Sequence, residues 1–296
     1  VKVQEQTETE NYALTVFTAQ ERKEWEPVIK EVEERTGWNV RVETGSAKEM
    51  LSQLEKEEAD WDVAFGVSAD ALEEGKEYWQ TGKDAWTGYS AVSFVILYNT
   101  NVVTYRELPT GWDSLLEPRW KGRVAVPDPL KSDMAASVLT EAAKNSEKEE
   151  FLDLLAENMQ YQMPETFKEV EQGISDGRYS IGVTSEEAAK AMLAAGQDVD
   201  YIDPEEGECF FEDGTAIRKR TPNLDASEAF VTYTTCDDTK WLLRTQLLRQ
   251  PAEDVSAESD RSDEDLKQRY SRQQEVLNIW KLIMEEKSGS AHEQEQ

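Results

Sequence analysis

At five places a short hydroxyl side chain falls where an apolar run gives way to a helical pattern: Thr18, Ser46 after Thr44-Gly45, Ser68, Ser132 and Thr184-Ser185. A Ser or Thr at a helix start accepts a hydrogen bond from a first-turn N–H. The other first-turn N–H groups stay unpaired, and the dipole places partial positive charge beside them. Several such ends facing one cleft would suit an anion. Any one of them alone is an ordinary cap; the information lies in their repetition. The candidate ligand contacts are therefore Thr18, Gln20, Ser46, Ser68, Ser132, Thr184 and Ser185. Tyr89 is a further candidate, either packing on the ligand or packing inside a hinge. Arg218 and Arg249 could pair an anion or form surface salt bridges.

Other chemistries lack their residues. The single histidine is His292, which leaves little for catalysis or metal binding through imidazole. No nucleophile elbow, phosphate loop, dinucleotide fingerprint or clustered metal motif occurs. Catalysis and a bound cofactor are not expected. The two cysteines, Cys209 and Cys236, fit an exported protein with few or no disulfides and also a reducing cytosol.

The hydroxyl junctions must be held by βα units. Ala13–Phe17 reads as a strand, followed by a helix carrying Trp25, Val28, Ile29 and Val32 and stopped at Gly37. Trp38–Val42 and Asp62–Gly66 read as further strands, each followed by a helix. Strands alternating with helices imply α/β layers around mostly parallel sheets, whose carboxyl ends hold the junctions. Ser93–Asn99 is apolar at nearly every position, so both faces should be buried, and it could carry the chain into a second unit. That unit contains strands at 122–127 and 179–183, and 214–218 reads as a strand returning to the first. Residues 253–265 read as a charged surface loop. Val276, Leu277, Ile279, Trp280, Ile283 and Met284 form an amphipathic stripe expected to pack in a core.

Composition agrees with two lobes. The 296 residues include nine Trp, ten Tyr and eight Phe, enough for packed interiors. Lys and Arg total 32 against 62 Asp and Glu, a net charge of −30. Such a surface repels nucleic acid and anionic membranes. No run reaches the roughly 18 apolar residues of a membrane span. The polar opening, residues 1–12, reads as a linker following a removed targeting segment, and 288–296 as a disordered tail.

Several stretches carry a resemblance. Leu14–Thr18, then Thr36-Gly37-Trp38-Asn39-Val40, resembles the opening of family 1 extracellular solute-binding proteins, in the ferric-ion, phosphonate and organophosphate branch. Ala59-Asp60-Trp61-Asp62-Val63-Ala64-Phe65-Gly66-Val67-Ser68 is similar to that branch's third-strand region. Trp86-Thr87-Gly88-Tyr89, Val95–Thr100 and Leu115–Pro129 follow the family order, as do Asp213–Ile217 and the helix after Pro222-Asn223. The resemblance covers about residues 13 to 250.

It implies a two-lobed, type II periplasmic-binding fold, each lobe a sheet flanked by helices, joined by crossing hinge strands. Lobe 1 is expected at 13–98 and 212–287, and lobe 2 at 99–211. It also implies a monomeric, extracytoplasmic protein, periplasmic or lipid-anchored, that takes a small-molecule solute to an ABC permease in the membrane. Iron-binding relatives place adjacent tyrosines at the helix start after the 179–183 strand. Here that place reads Thr184-Ser185-Glu186-Glu187, which favours a small phosphorylated or carboxylated solute over ferric ion. A hard cation held by Glu21, Glu186 and Glu187 is the alternative, and a sensor module passing occupancy to a receptor is another.

Overall fold

The computed structural model describes residues 12–80, 84–207, 209–256 and 263–294, with side chains of 255–264 and those beyond 287 not described. The first lobe opens with β1 (Leu14–Thr18), α1 (Arg22–Thr36), β2 (Val40–Thr44), α2 (Ala47–Glu55), β3 (Val63–Ser68) and α3 (Ala69–Glu74). A long strand, β4 (Thr87–Asn99), leads out of it. The second lobe contains β5 (Val124–Ala125), α4 (Asp133–Asn145), α5 (Phe151–Asn158), α6 (Phe167–Ser175), β6 (Ile181–Ser185), α7 (Glu186–Ala194) and β7 (Val199–Ile202). The chain returns through β8 (Cys209–Ile217) to α8 (Leu224–Thr234), α9 (Asp237–Leu242), β9 (Gln250–Pro251), α10 (Ala252–Ser256) and α11 (Asp263–Gln294).

The pairing runs β2-β1-β3-β8-β4-β6-β5, with β7 and β9 also on β4. The expected parallel arrangement holds for β1 with β2 and β3, and for β5 with β6. The crossing strands differ. β8 runs antiparallel to β3 and β4, and β4 runs antiparallel to β6 and β7. A strand that leaves a lobe and one that returns must point in opposite directions, and this sets their pairing. β4 serves both lobes: Thr87–Phe94 pairs with β8, and Phe94–Tyr98 pairs with β6.

Alternation along the strands builds layers. In β4, Phe94 and Ile96 join Trp112, Phe151 and Leu155 on one face, while Val95 and Leu97 meet Val170, Ile174 and Ala189 on the other. In β1, Leu14 and Val16 pack with Val28, Phe65 and Phe230, while Phe17 packs with Met50, Trp61 and Trp79. The helix boundaries follow local chemistry. Glu21 and Glu24 close a capping box on α1, and Gly37 ends it at φ 71° with its N–H on the Glu33 carbonyl.

Two expectations need correction. The 253–265 stretch is not all loop: α10 covers Ala252–Ser256 and α11 begins at Asp263, while 257–262 lie outside the described residues. The expected tail at 288–296 continues α11 as helix to Gln294, and 295–296 lie outside the described residues, as do 1–11 of the expected linker. The amphipathic stripe packs in a core, as expected, and that core is the second lobe's. Val276 and Trp280 are buried in the second lobe's cluster, and Tyr270, on the same helix, packs on the first lobe's. Helical spacing aims a stripe but does not choose its partner, and Ile279 is 46% exposed. Cys209 and Cys236 are both free thiols.

A buried ionic cluster joins the crossing strands to the cleft. Asp213 in β8 is fully buried and accepts from Arg249 Nη1 at 2.6 Å, Gln20 Nε2 at 2.9 Å and Ser90 Oγ at 2.8 Å. Arg249 Nη2 also reaches Glu24 Oε1 at 3.0 Å. Burial lowers the pKa of Arg249, but Glu24 and Asp213 together raise it well above the usual arginine value. Gly66 makes room for Gln20. It sits at φ 62°, and a Cβ there would lie 2.3 Å from Gln20 Cδ.

Two outcomes follow in denaturant melts. Gly66→Ala should lower stability by about 2 kcal/mol or more, from left-handed strain and displacement of Gln20. Arg249→Met should cost about 3–5 kcal/mol by leaving Asp213 buried without its counter-charge. Adding Asp213→Asn should restore part of that loss; strictly additive losses would refute the coupling.

Candidate functional site

The sequence predicts junction residues at strand ends, and the structure gathers most of them around one cleft. A cavity of about 400 Å³ opens between the lobes. Its first-lobe wall is Gln20, Glu21, Lys23, Glu24 and Ser68, with Arg249 from the segment before β9. Its second-lobe wall includes Ser132 and Met134 at the start of α4, Phe167, Lys168 and Glu171 of α6, and Ser185. Val92 and Phe211 of the crossing strands also line it. A second compartment of about 380 Å³ shares Ala19, Ser68, Lys131, Ser132 and Asp133 with the first. It extends past Ser46 and Lys48 to Tyr270 and Lys281 of α11.

Gln20, Ser68, Ser132 and Ser185 line the first compartment, and Ser46, Ser68 and Ser132 the second. Three hydroxyls cap their helices. Ser46 accepts from Glu49 N at 3.2 Å, Ser132 from Ala135 N at 3.3 Å and Ser185 from Ala188 N at 3.1 Å. Each cap holds a helix start against the cleft. Ser68 is 3% exposed and makes no side-chain cap to α3.

Three candidates stand outside the cavity walls. Thr18 is fully buried, and its Oγ1 accepts from Gln20 N at 3.2 Å. It shapes the turn that carries Gln20. Thr184 is also fully buried, with Oγ1 donating to Glu171 Oε1 at 2.7 Å. It holds a carboxylate that does line the cavity. Tyr89 is 2% exposed and meets the Phe65 ring edge-on at 4.6 Å. It packs in the first lobe's core with Phe65 and Phe230, at the bulge where the β4–β8 register shifts between Gly88 and Ser90.

Several charged wall residues were not singled out from sequence: Lys23, Lys131, Asp133, Lys168 and Glu171. In a chain this rich in charge their type carries no signal, although Lys131-Ser132-Asp133 does mark a helix start. Most are already answered. Lys23 pairs with Glu21 at 2.9 Å and Lys131 with Glu165 at 2.7 Å. Arg249 is committed to the buried cluster. Lys168 is exposed at the cavity wall and pairs with no carboxylate among the described residues. Burial raises the pKa of Glu171 against the Thr184 hydrogen bond. Burial likewise pushes Asp133 up to about 6.

The described residues contain no group of three or more His, Cys, Asp and Glu disposed to hold a metal ion. Glu186 and Glu187, the acids weighed for a hard cation, turn to Lys190 at 2.9 and 3.1 Å. No helix is long and apolar enough to cross a membrane among the described residues.

Solved structures share this architecture. A ferric binding protein from Campylobacter jejuni superposes with a TM-score of 0.73 at 16% identity, covering 91% of this chain and 99% of that one. The periplasmic binding protein AfuA from Actinobacillus pleuropneumoniae, with exogenous fructose-6-phosphate bound, gives 0.73 at 14% identity, covering 92% and 98%. Iron-bound HitA from Pseudomonas aeruginosa gives 0.68 at 16% identity, covering 89% and 98%. At these identities the likeness shows a two-lobed periplasmic-binding fold. No curated protein sequence matches the chain. Residues 66–274, more than half of the chain, match the family described as bacterial extracellular solute-binding protein, and the chain belongs to that family.

Proposed function

We propose that this protein is the extracytoplasmic solute-binding subunit of an ABC importer, that it captures a small phosphorylated or carboxylated solute between its lobes, and that it delivers the solute to a membrane permease. The observation that carries the ligand class is Lys168, an exposed cation on a cleft wall that forms no ion pair among the described residues, the nearby Glu171 being hydrogen-bonded to Thr184. The capped starts of α4 and α7 stand beside it and offer first-turn N–H groups to the same anion. Val92 and Phe211 supply an apolar floor for a carbon skeleton.

The mechanism is hinge closure. β4 and β8 are the two strands that cross between lobes, so small changes along them rotate one lobe against the other. A solute that touches α1 and α6 together binds the closed form best and shifts the population toward it. The permease then reads the closed outline. Binding alone completes this cycle, with no bond made or broken. Ferric ion, bound by some proteins of this fold, would need donors beyond those the described cleft residues assemble.

A saturating solute should raise the melting temperature and reduce the radius of gyration in solution scattering. A ligand that stabilises the protein without compacting it would count against hinge closure. Lys168→Ala should weaken anion binding by about tenfold or more, the worth of one charged hydrogen bond. Its ligand-free melting temperature should stay unchanged, because Lys168 is exposed and holds no ion pair.

A further inference from the structure

The cavity walls also present acceptors that the protein leaves unanswered. Asp133 stands in the wall of both compartments. Its Oδ2 accepts one hydrogen bond, from the Ala47 N–H across the cleft at 3.2 Å. No lysine or arginine pairs with it among the described residues. The titratable groups that face it are Glu49 from α2, Asp70 from α3 and Tyr270 from α11, with Lys48, Lys131 and Lys281 in the same compartment's wall. Asp70 lies outside the cavity walls and is 5% exposed; Ser68 and the Asp70 and Ala71 N–H groups hydrogen-bond to its carboxylate, and its Oδ2 has no further partner. On the opposite wall Gln20 is 8% exposed; its Nε2 is committed to Asp213, and its Oε1 has no partner.

Buried acceptors in this condition are stabilised by donors, and carboxylates best by cationic ones. Burial raises the pKa of Asp133, with Asp70 and Glu49 adding to it, and burial raises Asp70 despite Arg269. The long-range field points the same way. A net charge of −30 opposes a purely anionic solute, whereas a solute with both signs meets no such barrier.

We infer that the solute is a zwitterion, with an ammonium group that meets Asp133 at the wall shared by the two compartments and a phosphate, phosphonate or carboxylate that meets Lys168 and the neighbouring helix starts. This ligand assignment rests on the reading of the cleft as an anion site. The Gln20 Oε1 acceptor adds a place for a hydroxyl or a second ammonium hydrogen. Asp133 is then the residue that separates zwitterions from simple anions.

Calorimetric titration of the full chain with three probes tests this: phosphoethanolamine, ethyl phosphate and ethanolamine. Phosphoethanolamine is expected to bind at least tenfold more tightly than either of the others. Asp133→Asn should remove that advantage and leave ethyl phosphate as tight or tighter. Ethyl phosphate binding as tightly as phosphoethanolamine to the unmodified protein overturns the zwitterion and leaves the anion site standing. Ethanolamine binding as tightly overturns the zwitterion and the anion site together, and so does binding of none of the three at millimolar concentration. These comparisons use the unmodified protein, so they stand even if the variant folds poorly.

Discussion

Arg249 and Asp213 meet at 2.6 Å inside the hinge, and much of the cleft is arranged around that contact. Two buried charges at such a distance survive only if their remaining hydrogen-bonding capacity is satisfied nearby. Ser90, Gln20 and Glu24 provide it. Each comes from a different element: a crossing strand, the β1–α1 turn and the first turn of α1. The ion pair thus fixes the first-lobe wall relative to the hinge. It also commits Arg249, a buried cation that reaches the cavity wall, to the hinge.

The cleft combines groups of opposite demand. Lys168 and the capped starts of α4 and α7 favour negative charge, while Asp133 and Glu171 line the same walls as acids whose pKa burial raises. A site of one sign would collect any small counter-ion. A site with both signs a short distance apart selects by the spacing between charges, which is a property of the whole molecule bound. The two compartments, joined at Ser68, Ser132 and Asp133, give such a molecule length as well as charge to match.

Much of this fold could be read in the residues. Ser93–Asn99 carries apolar side chains at consecutive positions, and the structure buries nearly all of them because two cores flank the strand. Gly37 and the hydroxyl caps were readable for the same reason: their roles depend on neighbours within four residues. Roles that depend on distant contacts were not. Tyr89 and Thr18 resemble cleft residues in sequence, but a bulge in β4 and the geometry of the β1–α1 turn bury them. Lys168 and Asp133 are ordinary charges in a highly charged chain, and only the tertiary arrangement shows that neither forms an ion pair among the described residues. The antiparallel crossing strands and the partner of the C-terminal stripe belong to topology, which periodicity does not encode.

The position of α11 has a consequence for how the chain holds its shape. Neither core is complete without this helix, because Trp280 fills the second lobe's cluster and Tyr270 packs on the first lobe's. Loosening α11 therefore opens both cores at once, and the two lobes share one cooperative unit through it.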